Sequence, residues 1–331
     1  MTVDPLAFDR YRRSPNEKTT LLRLFGGTLL IVSAWLGVTV AVLFAGFYIR
    51  ERFGSLFGPE TLTFSDDLLE NFMASRVGFA AALLSFAGIW IGVWIAMRLI
   101  HRERPSRLLG NSARISGAGF VNGLIAVLLT SILSELCLYA MQPELVRGPI
   151  GLSVWLLFLL PALFLGFVQT SAEELLFRGY LLRGLAYRFR SPWIWAVMPT
   201  FAFTALHWNT AAPLTMNIGV FVSIGAFALM LVLLVYATGN LGAAMGAHLG
   251  NNATGFLLVS HDNSLASFAL FKGAPIGSLT STTGETAVII AISIVSVLLT
   301  LLLLMHPRSP LQVKPDLGPE QGAPQPNLPQ T

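Results

Sequence analysis

The sequence predicts an all-α fold: a polytopic transmembrane bundle of about eight helices, ending in a disordered, proline-rich C-terminal tail. Three observations carry this reading. Of 331 residues, 54% are hydrophobic and 11% charged, against roughly 25% charged in an average soluble domain, and the mean hydropathy is +0.68. The apolar residues are gathered into runs close to the ~20 residues that cross a hydrocarbon core. The last 26 residues, beginning HPRSPLQVKPDLGPEQ, hold seven prolines and almost no apolar clustering, so they cannot bury enough surface to fold. Together these exclude an ordinary water-soluble enzyme. A lone cysteine, Cys137, excludes an intramolecular disulfide and a cysteine-based metal cluster.

Residues 1–23 form a basic N-terminal segment with no short apolar core and cleavage site, so the first helix is expected to stay in the mature chain. Three helices follow within 24–140, near 24–49, 77–97 and 115–140. A second unit, 150–260, contains runs at 150–172, 214–237 and 241–260 and a shorter one at 192–208. A final helix at 286–305 leads into the tail, 306–331.

Basic residues orient the bundle, because short cytoplasmic loops are enriched in Lys and Arg. With eight alternating crossings, 16 of the 21 lie on the side of the termini and only Arg50, Arg52, Arg76, Arg147 and Lys272 on the other. The chain is thus read as a multi-pass integral membrane protein with both termini cytoplasmic, in the plasma membrane if the host is a prokaryote. The formal charge of +4 becomes topology and attraction to the lipid bilayer; a nucleic-acid partner is not needed. Between Ser191 and His261 there is no Asp, Glu, Lys or Arg, so there the charge rule demands only an odd number of crossings, read here as three.

Ionisable groups inside a bilayer are costly and mark function. They are few: Glu135, Glu173, Glu174, Arg178, His207 and His248. Glu135 lies far along its helix and is expected to be an interfacial acid. Glu174 and Arg178, four apart on a helix, can pair, while Glu173 points about 100° away, towards a cavity. Phe203 precedes His207 by one turn, and His248 precedes Asn252 by one turn. Such a set suits hydrolysis. A glutamate, alone or with His207, can take a proton from water, and His248 and Asn252 can stabilise an oxyanion. Alternatively, Glu173, His207 and His248 match an open zinc site of two histidines and a carboxylate. The residues leave both routes open.

The three motifs in order, E-E-x-x-x-R at Glu173, Glu174 and Arg178, F-x-x-x-H at Phe203 and His207, and H-x-x-x-N at His248 and Asn252, resemble those of the CPBP intramembrane proteases. That group contains the type II CAAX prenyl endopeptidases and bacterial abortive-infection proteins. The resemblance covers about 150–260. It implies an intramembrane endopeptidase acting on a membrane-associated, in some relatives lipid-modified, protein or peptide. Glu173 would be the catalytic glutamate and His207 would help polarise water, with His248 and Asn252 forming the oxyanion hole. Glu174 and Arg178 would position and support it. The family is described both as metalloproteases and as glutamate proteases, so a divalent metal, zinc, stays open. The H-E-x-x-H and G-x-G-D patterns of other membrane proteases are absent, and the nearest G-x-S, at Gly151 and Ser153, lacks the Gly expected after a rhomboid-type serine. The alternative is a non-catalytic immunity, scaffold or transporter-like membrane protein of the same fold.

One conflict of depth remains. If 192–208 crosses fully, His207 reaches the far face while Glu173 and His248 stay near the cytoplasmic one. Either the helix holding Glu173 continues past Arg178, or Pro199 and the shortness of 192–208 let that segment cross only partway. A water-filled cytoplasmic cavity joining the groups is expected in either case.

Overall fold

The computed structural model describes residues 5–13, 18–53 and 68–318. A short N-terminal helix, α1 (Pro5–Arg12), precedes a bundle of eight. These are α2 (Leu21–Phe53), α3 (Arg76–His101), α4 (Gly117–Met141), α5 (Leu152–Arg188), α6 (Trp193–Ala205), α7 (Leu214–Thr238), α8 (Gly242–Ala253) and α9 (Thr283–Met305). Six of them, all but α6 and α8, are long and apolar enough to cross a membrane. The chain is an integral membrane protein, and its outer faces carry Phe44, Leu160 and Leu298 exposed, as lipid contact requires.

Both alternatives for the depth conflict are realised. α5 does not stop at 172 but runs on to Arg188, passing through a π-helical stretch at Leu175–Leu181. α6 ends after Ala205, too short to span. Glu173 and Glu174 therefore lie about three-fifths of the way along a helix of roughly 55 Å, well inside the bundle.

α4 and α8 come into backbone contact. A Cβ added at Gly246 would overlap the Phe120 carbonyl oxygen, and one at Gly123 the Ala243 carbonyl oxygen. Small residues on both faces let the backbones touch, the usual means of helix association where lipid removes the hydrophobic drive.

The two sides of the bundle are closed differently. On the side of the termini, α1 is tucked in with Ala7, Phe8 and Tyr11 buried. Arg183 binds it by donating to the Tyr11 and Arg13 carbonyls at 2.8 and 3.0 Å, and pairs with Glu103 at 2.9 Å. The segment after α9 returns across this face: Asp316 accepts from Ser112 N at 3.0 Å and from Asn240 Nδ2 at 2.8 Å, and Arg10 donates to the Leu317 carbonyl at 2.6 Å. The disordered tail expected from 306 is corrected in its first half. Residues 306–318 are packed, with Val313 buried, because backbone bonds such as Asp316 N to the Thr238 carbonyl at 2.7 Å hold them. Residues 319–331 of that tail, and 1–4 and 14–17 of the N-terminal segment, lie outside the described residues.

The opposite side carries a three-stranded sheet of β1 (Leu145–Arg147), β2 (Val259–Ser260) and β3 (Phe271–Gly273). Its order is β1-β3-β2, β1 antiparallel and β2 parallel to β3. Glu135, expected as a plain interfacial acid, anchors this cap: His261 Nε2 donates to it at 2.8 Å, and His261 Nδ1 to the Ala274 carbonyl at 2.6 Å. Burial pushes the His261 imidazole down, but the Glu135 carboxylate and the Ala274 carbonyl outweigh it and hold it above its ordinary value.

Two outcomes follow from these contacts. Gly246→Leu should separate α4 from α8 at a cost of about 3 kcal/mol, seen as a lower thermal unfolding midpoint in detergent. A raised imidazole contributes stability that is complete below its unfolded value near 6.5 and is lost as pH rises through the folded one. Amide exchange in β3, corrected for its intrinsic pH dependence, should therefore speed up as pH rises above about 6.5, and Glu135→Gln should flatten that dependence.

Candidate functional site

The site is built where α5, α6 and α8 meet. A helical turn separates Glu174 from Arg178, so the pair forms as expected, Nη1 to Oε1 at 2.8 Å, with both side chains fully enclosed. The Arg178 guanidinium also lies over the Phe203 ring, 4.6 Å from its centroid, where the ring's negative face favours a cation. A second Arg178 nitrogen donates to the Ala228 carbonyl at 3.4 Å.

His248 joins the two acids. Its Nδ1 lies 2.7 Å from Glu174 Oε1 and its Nε2 3.4 Å from Glu173 Oε2. Glu173 thus does point away from the Glu174–Arg178 pair, as the helix angle predicts, and meets the far end of the same imidazole. Glu174 Oε1 carries both Arg178 and His248, while its Oε2 is buried with no hydrogen-bond partner among the described residues. Glu173 keeps a little exposure, 12% of its side chain, so of the two acids it is the one a solvent molecule reaches.

Asn252, one turn beyond His248, donates to Gln169 Oε1 at 2.8 Å. Gln169 is the residue that sequence reasoning missed. Its signal was a polar side chain four before Glu173 in the apolar run LFLGFVQTSA, hence on the same face of α5.

His207 lies at the edge. Its Nδ1 donates to the Phe203 carbonyl at 3.0 Å, which leaves Nε2 as an acceptor in the neutral ring. Phe203 packs against both imidazoles, ring centroids 4.9 Å from His207 and 5.9 Å from His248. This arrangement does not fit zinc. The three candidate ligands Glu173, His207 and His248 are not set as a ligand group, since both nitrogens of His248 face carboxylates and one nitrogen of His207 is taken by the Phe203 carbonyl. Among the described residues no group of three His, Cys, Asp or Glu is set to hold a metal ion. The acids, Arg178 and His248 meet by direct contact.

Residues 152–254 match the family model described as type II CAAX prenyl endopeptidase Rce1-like. This segment is an Rce1-like domain. It spans α5 to the end of α8 and so contains every one of the site residues above, and it is consistent with the kinship that the three motifs implied. At the level of family, residues 152–254 are thus similar to CAAX-type intramembrane proteases. An uncharacterized protein of Bacillus subtilis (strain 168), YyaK, is 27% identical over 267 residues, which cover 77% of this chain and 85% of that one. No solved structure matches the chain at a significant level.

The buried charges of the Rce1-like segment compensate one another, so removing one exposes the rest. Glu174→Leu should cost about 3–5 kcal/mol, the loss typical of one partner of a buried pair, read as a drop in thermal stability in detergent. Adding Arg178→Met to it should restore part of that loss.

Proposed function

We propose that the protein is an intramembrane endopeptidase that hydrolyses a membrane-associated, in some cases lipid-modified, protein or peptide with Glu173 as its base. The observation that carries this reading is the imidazole of His248 held between two adjacent carboxylates, one of them tied to Arg178. Arg178 and His248 both engage Glu174, while Glu173 meets the other nitrogen of His248 and keeps more exposure than Glu174, Arg178 or His248.

In the reaction, water bound to Glu173 loses a proton to the carboxylate as its oxygen attacks the scissile carbonyl. His207 Nε2, free to accept, orients that water. The developing oxyanion is met by His248 Nε2–H, which rests at a long 3.4 Å from Glu173 and has a better acceptor once negative charge forms. Asn252 can turn its amide from Gln169 to the same oxygen. Glu173 then passes its proton to the leaving amine, which restores the carboxylate and completes the addition of one water across the bond. Glu174 holds the Nδ1 end of His248 and so fixes the direction of the other nitrogen.

Both termini are proposed to face the cytoplasm, in a prokaryotic host that of the plasma membrane. The charge bias supports this, as does the gathering of α1 and residues 306–318 on one side.

Membrane proteomics of cells expressing the wild type or Glu173→Gln tests the reaction. Cleaved peptides present with the wild type should fall at least a hundredfold with the variant, while both chains unfold at similar temperatures. Cleavage that persists with Glu173→Gln removes this residue from the mechanism.

A further inference from the structure

A polar cavity lies between α4, α7, α8 and α9, away from the side of the termini. It encloses about 280 Å³, and its walls include Ser131, Glu135, Ser223, Asn251 and Ser296. Polar side chains on four helices facing one space are costly in hydrocarbon unless the space holds water or a polar guest. Ser223 Oγ is buried there with no hydrogen-bond partner among the described residues.

The cavity touches the site twice. Phe227 in its wall lies 6.0 Å, ring to ring, from His248, and Asn251 Nδ2 donates to Asn252 Oδ1 at 3.2 Å. Its other end shares Glu135 and Thr254 with a second cavity of about 330 Å³, which runs beneath the sheet past Phe271 and Gly273. The ion pair of Glu135 with His261 stands where the two meet. The side of the termini, in contrast, is closed beneath the site by α1, whose Tyr11 hydroxyl reaches the Leu108 carbonyl at 2.6 Å and the Arg178 carbonyl at 3.5 Å.

We propose that these two cavities form the route by which water enters from the sheet side and reaches Glu173 and His248. The role rests on the hydrolytic reading, since hydrolysis consumes one water per bond and lipid supplies none. A single water needs only about 10–15 Å³ of such space, so both volumes hold several.

Cysteine labelling tests this without relying on activity. In a Cys137→Ser chain in oriented vesicles, Ser223→Cys and Ser296→Cys are treated from the sheet side with a membrane-impermeant methanethiosulfonate, which reacts with the thiolate that forms in water. Leu298→Cys, on the lipid-exposed face of α9, is the control. Both cavity cysteines should label at least tenfold faster than the control; labelling at the control rate overturns the proposal. Ser223→Leu with Ser296→Leu should then lower kcat about tenfold with KM unchanged, and unaltered turnover in a wet cavity likewise overturns the route. A wild type that cleaves nothing sinks the hydrolytic reading, while the labelling still decides whether the cavity is wet.

Discussion

The low dielectric of a membrane bundle makes every isolated charge expensive, and the compensation of Glu174 by Arg178 and His248 is the constraint on which the rest of the site depends. An ion pair in such surroundings persists only when geometry and further hydrogen bonds repay desolvation. Arg178 meets this with a carboxylate, a carbonyl and an aromatic face on three different helices. The cluster is therefore structural and chemical at once: the groups that allow a second carboxylate at this depth also aim an imidazole N–H at it.

Helix geometry around the cluster follows from the same demand. The π-helical stretch at Leu175–Leu181 starts directly after Glu174 and contains Arg178, and another, Thr254–Leu258, starts two residues after Asn252. Such widened turns are common at functional sites because they re-aim side chains without ending the helix. Here α5 keeps its course past the acids to Arg188, whose neighbour Arg183 fastens α1 against the bundle. α6 contributes Phe203 and His207 by stopping short. Close packing of α8 on α4 through Gly123 and Gly246 sets how deep His248 sits, so the site inherits its depth from contacts made far from the acids.

Much of this was legible in residues. Runs of apolar residues marked all eight bundle helices, the i,i+4 spacing marked the Glu174–Arg178 pair, and the polar groups of an otherwise charge-free stretch marked His207, His248 and Asn252. Other features were not legible, for physical reasons. Gln169 is a neutral side chain that becomes informative only when Asn252 of another helix lies against it. The place of Glu135 depended on His261, 126 residues away. The packed course of 306–318 rests on backbone hydrogen bonds and the Asp316 carboxylate, which composition does not register.

Sequence alone determined the solvent of this chain, the approximate helices and the short inventory of ionisable groups that a bilayer interior tolerates, because each of these follows from local hydrophobicity and periodicity. Tertiary structure decided which of those groups meet. It put His248 between Glu173 and Glu174, tied His207 to the Phe203 carbonyl at the edge of the site, and turned the cavity beside the site towards the sheet. Distances between helices are set by the packing of small residues and by the requirement that buried charges cancel, and neither can be summed along a single helix.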